Sequence, residues 1–184
     1  MKLHTAMYSF TLNTPYVTEV FRNTHILDPN IMDLICNCEK KDKREHIMYE
    51  YKIKDNDDQI NFIKDVASGF LEFKNYKHNE KEWYMDIIRY NLDDETEPVD
   101  SGLAWHCEND QSDNLELVTV LMYLRIDDTI KDGNLGYIDS HGIKQLINIE
   151  PGTIIIMDGR VEHCPQNPIG TGTRDLIAVS FSVY

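Results

Sequence analysis

The feature that most constrains the fold is a series of short apolar segments, separated by turn residues, that fills the chain from Trp83 onward. Each segment alternates apolar and polar side chains or is apolar throughout, which is typical of strands in antiparallel sheets. Eight strands are predicted: Trp83 to Tyr90, Leu103 to Glu108, Leu115 to Arg125, Leu135 to Asp139, Lys144 to Ile149, Thr153 to Met157, Val161 to Gln166 and Arg174 to Val183. Eight strands after a helical leader predict a jelly roll.

The first 82 residues are predicted to be mainly helical. One helix begins at Asp28 and Pro29, a capping residue followed by proline at the first helical position, and ends in the charged run 39–44. A second helix is predicted over 57–74, where apolar residues recur with helical period. The expected fold class is mainly β with N-terminal helices (α+β), in a single domain over 1–184 with helices packed on one sheet.

The chain is strongly acidic, with 18 Lys and Arg residues against 32 Asp and Glu residues and a net charge of -14. Such a surface repels phosphate backbones and anionic lipid, so neither nucleic acid nor a membrane is expected as a partner. The N-terminal sequence MKLHTAMYSFTLNTP lacks the continuous apolar stretch of a secretory signal. We therefore expect a cytoplasmic protein whose four cysteines are free thiols.

Alternation along two of the predicted strands separates an apolar face from a mixed face. Tyr123 shares its face with Thr119, and Arg174 shares its face with Ser180. The opposite faces over 118–124 and 177–183 carry only aliphatic residues, methionine and phenylalanine. We expect the apolar faces to pack against the helices and the mixed faces to line a pocket between two sheets.

The string WHCEND is the first candidate for chemistry. His106 and Glu108 lie two residues apart on a predicted strand, so their side chains share a face. A further histidine, His163, follows a later apolar strand. Two imidazoles and one carboxylate leave coordination positions open and suit iron(II) oxygen chemistry, with zinc as the competing occupant. Asp110 is an alternative carboxylate, but it shares the face of Glu108 only if the strand continues that far.

Four residues of the β region occur in an order that is known from one family. His106, Glu108, His163 and Arg174 form an H-x-D/E pair, a distal histidine and an arginine shortly after it. This order resembles the Fe(II)- and 2-oxoglutarate-dependent oxygenases with a double-stranded β-helix core, especially the small prolyl-hydroxylase-like members. The segments VLMYLRIDDTIKDGNLGYI and IEPGTIIIMDGRVEHCPQNPIGTGTRDLIAVSF resemble parts of that core. The likeness spans roughly residues 83–184.

The resemblance implies a metal centre and an activity. His106, Glu108 and His163 would bind Fe(II) and form the catalytic centre, with 2-oxoglutarate and O2 as cosubstrates. The implied activity is hydroxylation of an unactivated C–H bond, in a prolyl or lysyl side chain of a protein or in an amino acid, with release of succinate and CO2. Halogenating relatives replace the carboxylate ligand with a small residue, so Glu108 favours hydroxylation or desaturation.

The resemblance also implies a binding site for 2-oxoglutarate. Arg174 would pair with the far carboxylate of the cosubstrate, because a planar guanidinium matches a carboxylate with two hydrogen bonds. Tyr123 and Tyr90 resemble pocket tyrosines of the same group. Many members carry a serine two residues after the arginine, where this chain has Leu176. Tyr123 or Thr119 is therefore expected to supply the missing hydrogen bond.

Two alternatives remain open on the sequence. The segment between Asn91 and Leu124 contains no Lys or Arg but many acidic residues. An acidic mouth would favour a cationic or zwitterionic substrate, and an acidic loop that aids solubility explains the same pattern. The alternative function is a metal-binding jelly roll without catalysis, which would have no need of a cation such as Arg174 between its sheets.

Overall fold

The computed structural model describes residues 6–35, 48–50, 58–94, 104–109 and 116–183, and these residues form a mainly β structure. The helices are α1 (Ile31–Ile35) and α2 (Asp58–Phe73). The strands are β1 (Tyr8–Thr11), β2 (Thr18–Arg22), β3 (Met48–Glu50), β4 (His78–Asp94), β5 (Glu116–Ile126), β6 (Lys131–Asp132), β7 (Leu135–Ile138), β8 (Lys144–Ile147), β9 (Thr153–Asp158), β10 (His163–Pro165) and β11 (Pro168–Val183). The mainly β class predicted from the sequence is confirmed.

Two antiparallel sheets form the architecture. Among the described residues, the major sheet has the order β1-β2-β9-β5-β11-β4-β3, with β6 paired to β11, and the minor sheet has the order β10-β7-β8. The strand predicted over Leu103 to Glu108 is wrong for residues 104–108, which contribute a single bridge between His106 and His163. That bridge places the segment beside β10, at the edge that the minor sheet has among the described residues.

The two faces of the major sheet pack against different neighbours, as the alternation predicted. On the outer face, α2 packs with Val120, Met122 and Ile177 in one apolar cluster. On the inner face, Tyr123 and Leu176 belong to a second cluster that also takes in residues of the minor sheet. The mixed faces of β5 and β11 therefore line the space between the sheets.

The N-terminal region is only partly the helical support that the sequence predicts. It contributes β1 and β2, and β2 pairs with β9, so the region extends the major sheet. A five-residue strand gives little local signal, and β2 is stabilised by burying Val20 on one face and Phe21 on the other.

The two helices differ in how well they match the sequence. Of the first predicted helix, α1 is described, and residues 36–47 lie outside the described residues. The helix predicted over 57–74 is observed as α2. No helix in the described part of the chain is long and apolar enough to cross a membrane.

A β-bulge in β5 decides which side chains reach each face near the start of β11. Asp175 pairs with Arg125 of β5. The next residue, Leu176, pairs with Tyr123, so Leu124 is an extra residue in the pairing. As a result, Arg125 lies beside Asp175 on the outer face while Tyr123 keeps its inner position.

An ion network on the outer face follows from this bulge. The buried Asp175 carboxylate accepts two hydrogen bonds from Arg89, at 2.7 and 2.9 Å, and Arg125 Nε lies 3.6 Å from it. Asp33 of α1 contacts both arginines, at 2.7 Å from Arg89 and 3.2 Å from Arg125. The network links α1 to three adjacent strands of the major sheet, β5, β11 and β4.

Candidate metal centre and cosubstrate pocket

His106, Glu108 and His163 come together in the structure. One ligand atom from each lies within 4.8 Å of the other two, which is close enough for a shared metal ion. Glu108 Oε1 is 3.7 Å from His106 Nε2 and 3.5 Å from His163 Nε2. The alternative carboxylate, Asp110, lies outside the described residues.

Backbone hydrogen bonds fix the position and orientation of both histidines. The His106 N–H donates to the His163 carbonyl at 3.0 Å, and the His163 N–H donates to the His106 carbonyl at 2.9 Å. Each Nδ1 faces the carbonyl two residues earlier, at 2.8 Å from Ala104 and 3.0 Å from Val161. Because a carbonyl oxygen only accepts, each Nδ1 donates its proton to that carbonyl, and each Nε2 is the nitrogen that faces Glu108.

The charge on Glu108 is stabilised by its two neighbours. Hydrogen bonding to His106 and then to His163 lowers the pKa of Glu108 to about 2, against the opposing effect of burial. The same contact raises the pKa of His106, with Glu108 as the largest cause. The cluster therefore supplies an ionised carboxylate and two oriented imidazoles, which is a donor set for a divalent metal.

Tyr84 of β4 also belongs to this site, although the sequence analysis did not include it. Its hydroxyl donates to Glu108 Oε2 at 3.4 Å. Burial, followed by the nearby Glu108 and Asp86 charges, raises the pKa of Tyr84 to about 12. The available signal was position, because Tyr84 lies an even number of residues from Tyr90 on a predicted strand and so shares its face.

Arg174 is the largest of the almost fully buried side chains, at 1% exposure. Its Nη2 donates to the Gly133 carbonyl at 2.6 Å, and its Nε has no hydrogen-bond partner within the described residues. Gly133 has a φ of 69°, and a Cβ there would lie 3.4 Å from Arg174 Cζ, so glycine allows this close approach. A buried guanidinium with an unpaired donor has the charge and the free N–H to bind an anion.

The predicted pocket residues divide into neighbours of Arg174 and one distant residue. The ring centroids of Tyr90 and Tyr123 lie 5.3 and 5.4 Å from Arg174 Cζ. Burial raises the pKa of Tyr123 to about 12. Thr119 instead contacts Ser180, with 2.8 Å between the two hydroxyl oxygens. Ser180 lies six residues from Arg174 on the same strand, or about 20 Å at the rise of an extended chain.

Residues that compete for these roles point elsewhere. Arg160, the nearest alternative to Arg174, is exposed and makes two hydrogen bonds to Asp158, at 2.8 and 2.7 Å. Cys107 Sγ contacts the Arg160 carbonyl, and Cys164 Sγ contacts its neighbouring carbonyl, so neither thiol joins the histidine cluster. Trp105 lies under Lys144 Nζ at 4.5 Å, in a packing role.

Comparison with solved structures shows a shared fold. A prolyl-4-hydroxylase from Pseudomonas putida has a TM-score of 0.61 at 11% identity and covers 97% of this chain and 92% of its own. A Trichoplax adhaerens prolyl hydroxylase, solved with a hypoxia inducible factor peptide, has a TM-score of 0.63 at 13% identity, covering 90% and 83%. HygX from Streptomyces hygroscopicus, solved with nickel and 2-oxoglutarate, has a TM-score of 0.61 at 11% identity, covering 90% and 82%.

No protein-family model and no curated protein matches the sequence. The likeness to these enzymes is therefore one of fold, and it agrees with the resemblance that the order of motifs indicates.

Proposed function

We propose that the protein is an Fe(II)- and 2-oxoglutarate-dependent dioxygenase that hydroxylates an unactivated C–H bond. The observation that carries the proposal is the presence of two complementary sites, the His106, Glu108 and His163 cluster and the buried guanidinium of Arg174 with an unpaired Nε. A metal-binding module without catalysis would need only the first of them. A buried charge without an anion is costly, so Arg174 favours the enzyme.

The donor set fits iron(II). Two imidazoles and one carboxylate leave open positions at the metal for small ligands. When bound, iron(II) supplies oxidative decarboxylation of 2-oxoglutarate by O2, coupled to hydroxylation, with succinate, CO2 and the hydroxylated substrate as products. The chain contributes orientation, because the Ala104 and Val161 carbonyls hold the Nδ1 protons and direct both Nε2 atoms towards the Glu108 carboxylate.

Arg174 would bind the far carboxylate of 2-oxoglutarate. Its Nε is free to donate, whereas Nη2 is already bound to the Gly133 carbonyl. The rings of Tyr90 and Tyr123 flank the guanidinium and exclude water, which strengthens the attraction between opposite charges. We assign the additional hydrogen bond to Tyr123 rather than to Thr119, because only Tyr123 is adjacent to Arg174.

The proposed substrate is a prolyl or lysyl side chain of a protein, or a free amino acid. Two of the structures with this fold are prolyl hydroxylases, and one of them is bound to a peptide. Glu108 is retained as a carboxylate, which favours hydroxylation over halogenation. The acidic segment that would favour a cationic substrate lies mainly in 95–103 and 110–115, outside the described residues.

The test is an anaerobic titration of the Fe(II)-loaded protein with 2-oxoglutarate. We expect the weak visible charge-transfer band of the chelated metal, followed by release of succinate when O2 and a substrate are supplied. Peptides that contain proline or lysine and free amino acids form the substrate panel, with an acidic peptide as the control. A folded protein that binds Fe(II) but gives no band with 2-oxoglutarate would refute the proposed function and leave a metal-binding module.

A further inference from the structure

Three polar residues form a row across the inner face of the major sheet. Ser180 of β11 pairs in register with Tyr84 of β4 on one side and with Thr119 of β5 on the other. All three lie on the face that points away from α2, because residues an even number of positions along their strands, Tyr90, Leu121 and Ala178, belong to the inner cluster or pack against it. Ser180 and Thr119 are each 1% exposed. Buried hydroxyls in such a position require partners, and the row provides them.

The row forms a hydrogen-bonded chain that ends on a carboxylate. Thr119 and Ser180 share a hydrogen bond of 2.8 Å, Ser180 bonds to the Tyr84 hydroxyl, and Tyr84 contacts Glu108 Oε2 at 3.4 Å. An ionised carboxylate only accepts hydrogen bonds, so Tyr84 is the donor to Glu108. The Tyr84 oxygen then accepts from Ser180, and Ser180 accepts from Thr119. Each hydroxyl therefore donates towards Glu108.

The hydrogen bonds of this row restrain the Glu108 side chain, whose own backbone is irregular. The segment 104–109 is joined to the minor sheet by a single β-bridge, at His106, and Glu108 itself is in a bend. A glutamate also has one more rotatable bond than an aspartate, so its carboxylate is harder to hold in one orientation. Tyr84, in contrast, is part of a 17-residue strand that pairs with β11 along most of its length.

We propose that Tyr84, supported by Ser180 and Thr119, is a positioning residue that holds Oε2 of Glu108 so that Oε1 faces both histidines. This inference rests on the proposed function, because it concerns a ligand of the proposed metal. It gives the buried Thr119 hydroxyl a part in the metal centre rather than in binding 2-oxoglutarate. A ligand on an irregular segment is thereby tied to a regular sheet, which lowers the cost of ordering its side chain when metal binds.

The test is the Tyr84→Phe variant, titrated with Co(II) as a spectroscopic probe after removal of metal by a chelator. Loss of an outer hydrogen bond to a ligand should weaken Co(II) binding by about tenfold or more. The visible Co(II) spectrum should also change, because an untethered carboxylate is free to bind through both oxygens. Tyr84 is 40% exposed, so the variant should unfold at the same temperature as the wild type when metal is absent.

Tyr76→Phe is the matched control, since the Tyr76 hydroxyl is buried without a hydrogen-bond partner among the described residues. It should bind Co(II) as the wild type does. Thr119→Val keeps the shape of the side chain. It should lose less Co(II) affinity than Tyr84→Phe, because Thr119 is the hydroxyl of the row that lies farthest from Glu108.

Three outcomes separate this inference from the proposed function. If Tyr84→Phe keeps the wild-type Co(II) affinity and spectrum, the positioning role is wrong while the metal site stands. If Tyr84→Phe weakens Co(II) binding only to the degree that it lowers the unfolding temperature, the residue is structural and the inference is also refuted. If the wild-type protein binds no Co(II), the proposed function itself fails.

Discussion

Arg174 and Asp175 are neighbours in sequence and both are buried, but their surroundings differ. Asp175 points to the outer face of the major sheet and is bound by Arg89 with two hydrogen bonds, with Arg125 close by. Arg174 points to the inner face and makes one hydrogen bond, to the Gly133 carbonyl, while its Nε has no partner in the described chain. The Asp175 charge is neutralised by described arginines, whereas no described acidic side chain forms an ion pair with Arg174.

The difference shows what each face of the sheet is for. An unsatisfied buried donor costs about 1–3 kcal/mol, and the outer face avoids that cost by supplying its own counterions. Among the described residues, the inner face has two places with groups for a ligand: the Arg174 guanidinium, whose Nε is unpaired, and the His106, Glu108 and His163 cluster, whose ligand atoms are close enough to share a metal ion. Polar groups that the chain does not satisfy itself are the ones available to ligands.

The largest expected effect comes from removing a metal ligand on the inner face. His163→Ala should abolish metal uptake, because it leaves one imidazole and one carboxylate for the ion. Isothermal titration of the metal-free protein with Fe(II) under argon measures this. His141→Ala is the control, since His141 is exposed and far from the cluster in the sequence. Metal uptake by His163→Ala at wild-type affinity would show that the cluster is not the metal site.

The next effect tests the outer face. Asp175→Asn should lower the free energy of unfolding by about 3 kcal/mol, because it leaves two arginines beside a neutral side chain in a buried site. Urea denaturation of the metal-free protein measures the change. Asp128→Asn, at an exposed turn, should leave stability unchanged. If Asp175→Asn keeps full stability but loses 2-oxoglutarate binding, the outer face serves ligand binding rather than stability, and our assignment of the two faces is wrong.

Arg174→Ala should differ from His163→Ala. The variant should retain metal binding, and its affinity for 2-oxoglutarate should be lower than that of the wild type. A loss of more than about tenfold in affinity is expected, which corresponds to about 1.4 kcal/mol. Anaerobic titration of the Fe(II)-loaded variant measures it, and Arg160→Ala, at an exposed arginine, is the control. Equal loss of metal and 2-oxoglutarate binding would mean that Arg174 is structural.

Much of this arrangement follows from local sequence patterns. Alternation in β5 and β11 predicts the two faces, because a side-chain period of two needs no knowledge of the partner strand. The same rule predicts that Tyr123 and Arg174 face inward. The order of His106, Glu108, His163 and Arg174 indicates the metal site and the anion site through a resemblance rather than through geometry.

Other features depend on which strands pair, and the sequence does not reveal them. The bulge at Leu124 exists only in the register between β5 and β11, and continued alternation would have placed Arg125 on the inner face. The contact between Tyr84 and Glu108 joins two segments whose proximity the fold alone creates. Both features arise from long-range contacts, as does the pairing of β2 with β9.

The smallest expected effect separates two hydroxyls on the inner face. Tyr123→Phe should weaken 2-oxoglutarate binding by about fivefold, which corresponds to the net loss of about 1 kcal/mol that is typical of one hydrogen bond. Thr119→Val should leave that affinity within the error of the anaerobic titration, because Thr119 bonds to Ser180, six residues along β11 from Arg174. The reverse result, with Thr119→Val alone weakening 2-oxoglutarate binding, would mean that the cosubstrate lies along the row of Tyr84, Ser180 and Thr119. The far carboxylate of 2-oxoglutarate would then lie near Glu108 rather than near Arg174. The unpaired Nε of Arg174 would need another partner.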